Sequence, residues 1–286
     1  MKRILIQLDT DPHPSAFDRV VAIDAGVEEL FSYGGISAEN AEGLVHGAMF
    51  TRGPADLKHT AIFVGGSDVT AGEKLFKRVQ KTFFGPIRVS VMMDSNGSNT
   101  TAAAAVLAAA KHVDLNGAEV LVLGGTGPVG HRAAQILAMK GAHVRVASRS
   151  IEKAQGVCDA VSRDVDGAKL RAVATGSEQE TDAACAGVSV IIAAGAAGVE
   201  LLSAAKRESL KGLKVAVDLN AVPPAGIGGI EATDKAKDRN GTICYGALGV
   251  GGMKMKIHKA AVAKLFEAND QILDTAAICT IGESIL

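Results

Sequence analysis

Apolar runs rich in β-branched residues alternate along this chain with segments whose apolar positions repeat at the helical period. Strands are predicted at Arg3–Leu8, Glu29–Tyr33, Thr60–Val64 and Arg88–Met93, with helices between them near Phe17–Ala25, Ala38–Met49 and Thr70–Phe83. Farther along, strands are predicted at Glu119–Leu123, His143–Ala147, Leu170–Ala174, Val188–Ala193, Lys214–Leu219 and Thr242–Tyr245. The helices there are expected near Val129–Lys140, Ile151–Ser162, Glu178–Ala186, Glu200–Ser209 and Met253–Ala268. This alternation predicts an α/β protein with doubly wound parallel sheets. The polar cluster from Asp94 to Thr100 ends in good N-cap residues and marks a boundary between two halves. The expected domains are 1–100 and 101–286, with the C-terminal helices from about 253 able to pack back on the first. The alanine-rich run Thr101–His112 would join the two domains stiffly. The charged stretch Asp234–Gly241 reads as a solvated loop.

One turn carries chemistry. The strand at Glu119–Leu123 runs into Gly124-Gly125-Thr126-Gly127-Pro128-Val129-Gly130 and then into a helix. Gly125, Gly127 and Gly130 fit the dinucleotide fingerprint. In that reading Gly125 permits the tight turn, Gly127 lets a pyrophosphate approach the backbone, and Gly130 lets helix and sheet pack closely. The helix start, with Pro128 at its first position and the Val129 N–H after it, would offer N–H groups and a positive dipole end to the phosphates, with Thr126 beside them. The second half is therefore expected to be a Rossmann-type dinucleotide-binding domain. A site preferring NAD ends its second strand in an acid. Here that strand ends in Ser148-Arg149-Ser150, a guanidinium flanked by two hydroxyls, which favours the 2′-phosphate of NADP while leaving NAD possible. Capping of the next helix is the other duty open to these residues. Three further loops follow predicted strand ends: Gly195–Gly198, Asn220–Pro224 and Gly246–Gly252. Gly195, Asn220 and Gly249 are their candidate cofactor contacts.

Composition narrows the partners. With a formal net charge of −1 and no tryptophan, the chain offers neither a basic footprint nor a stacking surface for nucleic acid. Its four cysteines, Cys158, Cys185, Cys244 and Cys279, lack metal-ligand spacing and read as small core residues in a reducing compartment. No metal site is expected. The N-terminal run meets Asp9 too soon for a signal peptide, and no apolar stretch is long enough for a membrane span, so a cytoplasmic protein is expected. There is no G-x-S-x-G, H-E-x-x-H or P-loop, and histidines such as His46 and His258 are scattered. Hydride transfer to a nicotinamide needs no such constellation, because the cofactor carries the chemistry.

The run Asp94–Ala104, the turn Leu123–Gly130, the segment Pro223–Ile230 and the segment Gly246–Lys256 together resemble the methylene-tetrahydromethanopterin dehydrogenases of methylotrophic bacteria. Asp9-Thr10-Asp11, Pro14-Ser15 and Ala61–Gly66 are similar as well, so the resemblance spans essentially the whole chain. It implies two α/β domains with the active site in the cleft between them. It also implies oxidation, by NADP, of the methylene group that bridges two nitrogens of a reduced pterin one-carbon carrier. A homo-oligomer, trimer or hexamer, is implied in the same way. Lys256 is the expected active-site lysine, with Lys254 the alternative substrate contact, because on a helix only one of the two could face the site. Asp94 and Asn99 are expected to match the donor–acceptor edge of the pterin, with turn and cap duty the alternative. A methylenetetrahydrofolate dehydrogenase, dual carrier use, or a non-catalytic NADP-binding redox sensor are the competing readings.

Overall fold

The computed structural model describes all of residues 1–286. Its elements, in chain order, begin with β1 (Ile4–Asp9), α1 (Ala16–Asp24), β2 (Glu29–Tyr33), α2 (Glu42–Phe50), β3 (Thr60–Gly65), α3 (Val69–Thr82), β4 (Ser90–Met93) and α4 (Ser98–Ala110). There follow β5 (Glu119–Leu123), α5 (Pro128–Met139), β6 (His143–Ser148), α6 (Ile151–Asp164), β7 (Lys169–Ala174), α7 (Glu178–Cys185), β8 (Val190–Ala193) and α8 (Ala204–Ser209). The last elements are β9 (Val215–Asp218), β10 (Lys237–Arg239), β11 (Thr242–Tyr245), α9 (Ala247–Lys264), β12 (Ile272–Leu273) and α10 (Thr275–Ile285). No helix is long and apolar enough to cross a membrane.

The chain divides into two compact units, and it crosses from one to the other inside α4 and inside α9. The first holds residues 1–100 and 255–285. Its sheet has the order β2-β1-β3-β4-β12 with every pair parallel. Central strands β3 and β4 are buried along their whole length, as expected for a parallel sheet covered on both faces. The core on one side of this sheet is Ile6, Leu8, Ile62, Val64 and Val91 packed against Val45, Met49, Leu75 and Val79 of α2 and α3.

The second unit, residues 101–254 with Leu286, has the order β7-β6-β5-β8-β9-β11-β10. All pairs are parallel except β10 with β11. Strand order reverses between β5 and β8, so the crevice for a ligand opens beyond Leu123 and Ala193, the carboxyl ends of those strands. The α/β class and the Rossmann-type order of this unit agree with the expected fold.

Two predictions about this unit are corrected. Lys237–Arg239 is not a solvated loop but an edge strand, which holds its charges because one side of it stays open to water. The last glycine-rich segment is not a loop through Gly252, since α9 already begins at Ala247.

Candidate active site

The turn after β5 is built by close approaches that only glycine allows. Gly124 has a left-handed φ of 66°, and a Cβ there would lie 2.6 Å from the backbone nitrogen of Gly195. The tight turn therefore belongs to Gly124, one residue before the glycine expected to make it. Gly125 is held small for another reason, because a Cβ would come within 2.7 Å of the Val146 side chain on β6. Gly130 packs on the turn itself, its missing Cβ making way for the Gly124 carbonyl at 2.5 Å. Gly127 is different. A Cβ there would meet nothing closer than 3.5 Å, so its smallness serves no internal contact and leaves the backbone open to a ligand. Gly127 caps α5, Pro128 takes the first helical position, and the first intrahelical bond runs from His131 N–H to the Gly127 carbonyl at 2.9 Å. The first-turn N–H groups, Val129 among them, precede that first bond and have no partner within the helix, the condition under which a helix start can take an anion.

A cleft of ≈ 560 Å³ opens at this point, within the size range of small-molecule sites. Gly124, Thr126 and Gly127 form one side, Gly195 and Ala196 another, and Ser148, Arg149, Ser150, Lys153 and Thr175 the far end. Six expected cofactor residues are thus brought together: Thr126, Gly127, Ser148, Arg149, Ser150 and Gly195. Arg149 is exposed and accompanied by a second cation, Lys153. The sequence reading missed Lys153 and Thr175. Lys153 is marked in the sequence by its place in the first turn of the helix that Ser150 caps.

Ser150 is less available than Ser148. Its hydroxyl accepts from Lys153 N–H at 3.3 Å and donates to Glu152 at 2.7 Å, so the cap consumes it. Glu152 is in turn pulled below the usual carboxylate range, chiefly by that hydroxyl. Ser148 accepts from Ser150 N–H at 3.2 Å and keeps its own O–H to donate.

The other six cofactor candidates do not line this cleft: Gly125, Pro128, Val129 and Gly130 belong to the turn and helix start beside it, and Asn220 and Gly249 lie elsewhere. The Asn220 amide accepts from Val222 N–H at 2.9 Å and from Gly198 N–H at 3.4 Å, and it donates to the Pro224 carbonyl at 3.0 Å. It is occupied in tying two loops together. Asp218, buried at the end of β9, anchors the same segment by accepting from Asn220 N–H and Ile227 N–H, both at 3.0 Å. Burial raises the Asp218 carboxyl above its ordinary range. Gly249 lies in the first turn of α9, where a Cβ would collide with the Asp234 carbonyl. Its smallness makes room for that carbonyl against the helix.

The expected pterin contacts are placed differently from their prediction. Asp94 is fully buried. One carboxylate oxygen accepts from Asn99 N–H at 2.9 Å and Thr100 N–H at 3.0 Å, the other from the Thr100 hydroxyl at 2.6 Å. Asn99, also buried, donates to the Met93 carbonyl at 2.6 Å and accepts from the Thr275 hydroxyl at 2.7 Å. Turn and cap duty therefore accounts for both residues. In the same unit, Asp9 at the end of β1 accepts from Asp11 N–H at 2.9 Å and Ser15 N–H at 3.0 Å. Asp11 accepts from the backbone and hydroxyl of Ser67 beyond β3. These loops stand where the order of this sheet places its own ligand crevice, between β1 and β3.

The two lysines fall on different sides of α9. Lys256 is exposed, whereas the Nζ of Lys254 is shut off from solvent. The buried stripe of α9, Val250, Met253, Ile257 and Ala261, explains the difference. Lys254 borders that stripe one turn before the fully buried His258, and Lys256 points away from it. Of the two, Lys254 is the enclosed one and Lys256 the exposed one. His258 itself is stacked on Phe63, with ring centroids 5.8 Å apart, and its Nε2 lies 4.0 Å from Asp18.

A profile of the family described as methylene-tetrahydromethanopterin dehydrogenase, N-terminal, matches residues 16–96. The chain is 43% identical to the bifunctional protein MdtA of Methylorubrum extorquens, over 99% of each chain. It is 34% identical to the NAD(P)-dependent methylenetetrahydromethanopterin dehydrogenase of the same organism, over 95% of this chain and 94% of that one. The fold is shared with 5-ketofructose reductase of a Gluconobacter species, at a TM-score of 0.52 and 16% identity, covering 100% of this chain and 99% of that one. Sequence similarity along nearly the full length, together with the dinucleotide-type turn, makes this chain a member of the methylene-tetrahydromethanopterin dehydrogenase family.

Proposed function

We propose that the protein oxidises methylene-tetrahydromethanopterin to the methenyl form and reduces NADP, within one-carbon (formaldehyde oxidation) metabolism. The observation that carries this reading is the cleft beyond β5, where the outward start of α5 and the cation pair Arg149 and Lys153 face one cavity in a chain of this family. The residues fit NADP, because Gly127 has no internal reason to be small and the second strand ends in a cation instead of an acid. NADP, when bound, supplies the nicotinamide carbon that accepts the hydride.

The chain's own part is binding, orientation and exclusion of water. The first turn of α5 holds the pyrophosphate. Arg149 and Lys153, with the hydroxyls of Ser148 and Thr175, hold the 2′-phosphate and favour NADP over NAD. No general base is needed, because loss of hydride from a carbon between two nitrogens leaves a cation spread over both. Lys254 is the lysine that orients the carrier, in place of Lys256. The protein works in the cytoplasm as a homo-oligomer.

The test is steady-state turnover of the purified protein with methylene-tetrahydromethanopterin and with methylenetetrahydrofolate, each with NADP and NAD. The reading predicts fastest NADPH formation with the methanopterin carrier. Faster turnover of the folate would make it a methylenetetrahydrofolate dehydrogenase. Tight NADP binding with no turnover of either carrier would make it a sensor.

A further inference from the structure

At the opposite ends of the strands that carry the dinucleotide turn, the second unit has another cleft, of ≈ 350 Å³. Parallel register aligns Glu119, His143 and Lys169 across β5, β6 and β7, and places Arg145 directly beside Arg171 in the next row. Alternate residues of a strand share a face, so all five side chains look out from one side of the sheet. Three permanent cations, Arg145, Lys169 and Arg171, thus line the cleft against the single carboxylate of Glu119.

Like charges opposed on neighbouring strands, ~4.8 Å apart, destabilise a sheet. This arrangement is also partly fixed in advance. Arg145 donates to Glu119 at 2.9 Å and to the carbonyls of Ala184 and Ala186 at 2.9 and 2.6 Å, so its guanidinium cannot swing away from Arg171. Glu119 also accepts from the Nδ1 of His143 at 2.9 Å, which holds the ring in place. The His143 Nε2 is enclosed and has no hydrogen-bond partner in the protein. Lys169 and Arg171 are exposed, and no hydrogen bond or ion pair occupies them. The cleft therefore combines a rigid guanidinium wall with two exposed, unpaired cations.

We propose that this cleft is a second anion site, which takes a small phosphate-bearing dianion between Arg171, Lys169 and the fixed wall of Arg145. A tetrahedral phosphate can accept from Arg145 of β6 and from Lys169 and Arg171 of β7 at once, whereas a planar carboxylate matches one guanidinium fork. The anion relieves the repulsion between Arg145 and Arg171. The site is separate from the dinucleotide cleft. His143 and Ser148, at the two ends of β6, are about 16 Å apart at the usual rise of a strand.

The test is isothermal titration calorimetry of the full chain, with saturating NADP filling the first cleft. Inorganic phosphate and glycerol phosphate are the two phosphate probes, and succinate is the carboxylate control. The proposal predicts saturable one-site binding of a phosphate probe. That binding should weaken about 10-fold or more in Arg171→Ala and in Lys169→Ala, the loss expected for one charge-assisted hydrogen bond. Arg149→Ala should bind phosphate normally, and Arg171→Ala should keep its turnover with NADP. The better phosphate probe identifies the source as the free ion or a phosphate ester. Unsaturable heats, unchanged affinity in Arg171→Ala and Lys169→Ala, or loss of binding in Arg149→Ala would each overturn the site. Equal binding of succinate would overturn its assignment to phosphate.

Discussion

The hydroxyl of Ser150 accepts a hydrogen bond from the backbone N–H of Lys153 at 3.3 Å, which divides labour among the residues around Arg149. Ser150 holds the helix start, and Lys153, three positions on, lines the same cleft as Arg149. Ser150→Ala should therefore cost about 1 kcal/mol of stability while leaving the NADP to NAD preference unchanged. Arg149→Ala and Lys153→Ala should each raise the KM for NADP about 10- to 150-fold and barely change that for NAD. Denaturant midpoints and cofactor titrations on the three variants check this. An equal effect of Arg149→Ala on both cofactors would remove the 2′-phosphate from this place.

Gly124 and Gly127 separate folding from binding within one turn. Gly124→Ala should destabilise the unit, because its φ of 66° and the nearby Gly195 backbone leave no room for a methyl group. Gly127→Val should leave the fold near intact, since nothing lies within 3.5 Å of the added carbon, and should abolish cofactor binding. Thermal melts with and without NADP distinguish the two effects. Cofactor-induced stabilisation should vanish only where binding is lost.

Much of this was legible in the sequence. Strands β2, β5 and β11 were read to the residue, because apolar β-branched runs bounded by turn residues leave little choice. Other features depended on partners distant in sequence. Glycines at 249, 251 and 252 read as a loop, but Gly249 is small because the Asp234 carbonyl lies against the first turn of α9. Asp94 and Asn99 looked like ligand contacts, and their polarity is spent on Thr100, Met93 and Thr275. Thr275 is too far along the chain for local spacing to reveal. The register of Lys254 and Lys256 needed the helix to start at Ala247, six residues before the predicted Met253.

With that register, Lys254→Ala should lower kcat/KM for the one-carbon carrier by about 10²–10³-fold, the range for one well-placed polar contact. Lys256→Ala, on the exposed side, should be near wild type, and neither should alter NADP binding. Paired titrations of carrier and cofactor test this. A dead Lys256→Ala beside a fully active Lys254→Ala would return the role to Lys256.

Acid stability should report on the Asp234–Arg239 pair. Burial alone would raise the Asp234 carboxyl, but two hydrogen bonds from Arg239, at 2.5 and 2.8 Å, together with the Glu231 N–H hold it below the usual carboxylate range. A carboxyl whose folded pKa is depressed stabilises above its unfolded value near ~3.9 and loses that contribution as pH falls through the folded value. Arg239→Met should thus cost about 1.5 kcal/mol at pH ~7, toward the low end for a charged hydrogen bond because Arg239 is 24% exposed. The gap to wild type should close at acid pH, which urea midpoints across pH would follow. A gap that does not narrow at all as pH falls would mean that the side chain acts by packing alone.

In the proposed reaction a hydride passes from the carrier's methylene carbon to the nicotinamide of NADP. Its most direct test uses methylene-tetrahydromethanopterin carrying two deuterons on that carbon, with unlabelled NADP and the purified protein. Direct transfer puts one deuteron at the nicotinamide C4 of the NADPH formed and keeps one on the methenyl product, read by mass spectrometry of both. NADPH without deuterium, or no NADPH at all from this carrier, would contradict it.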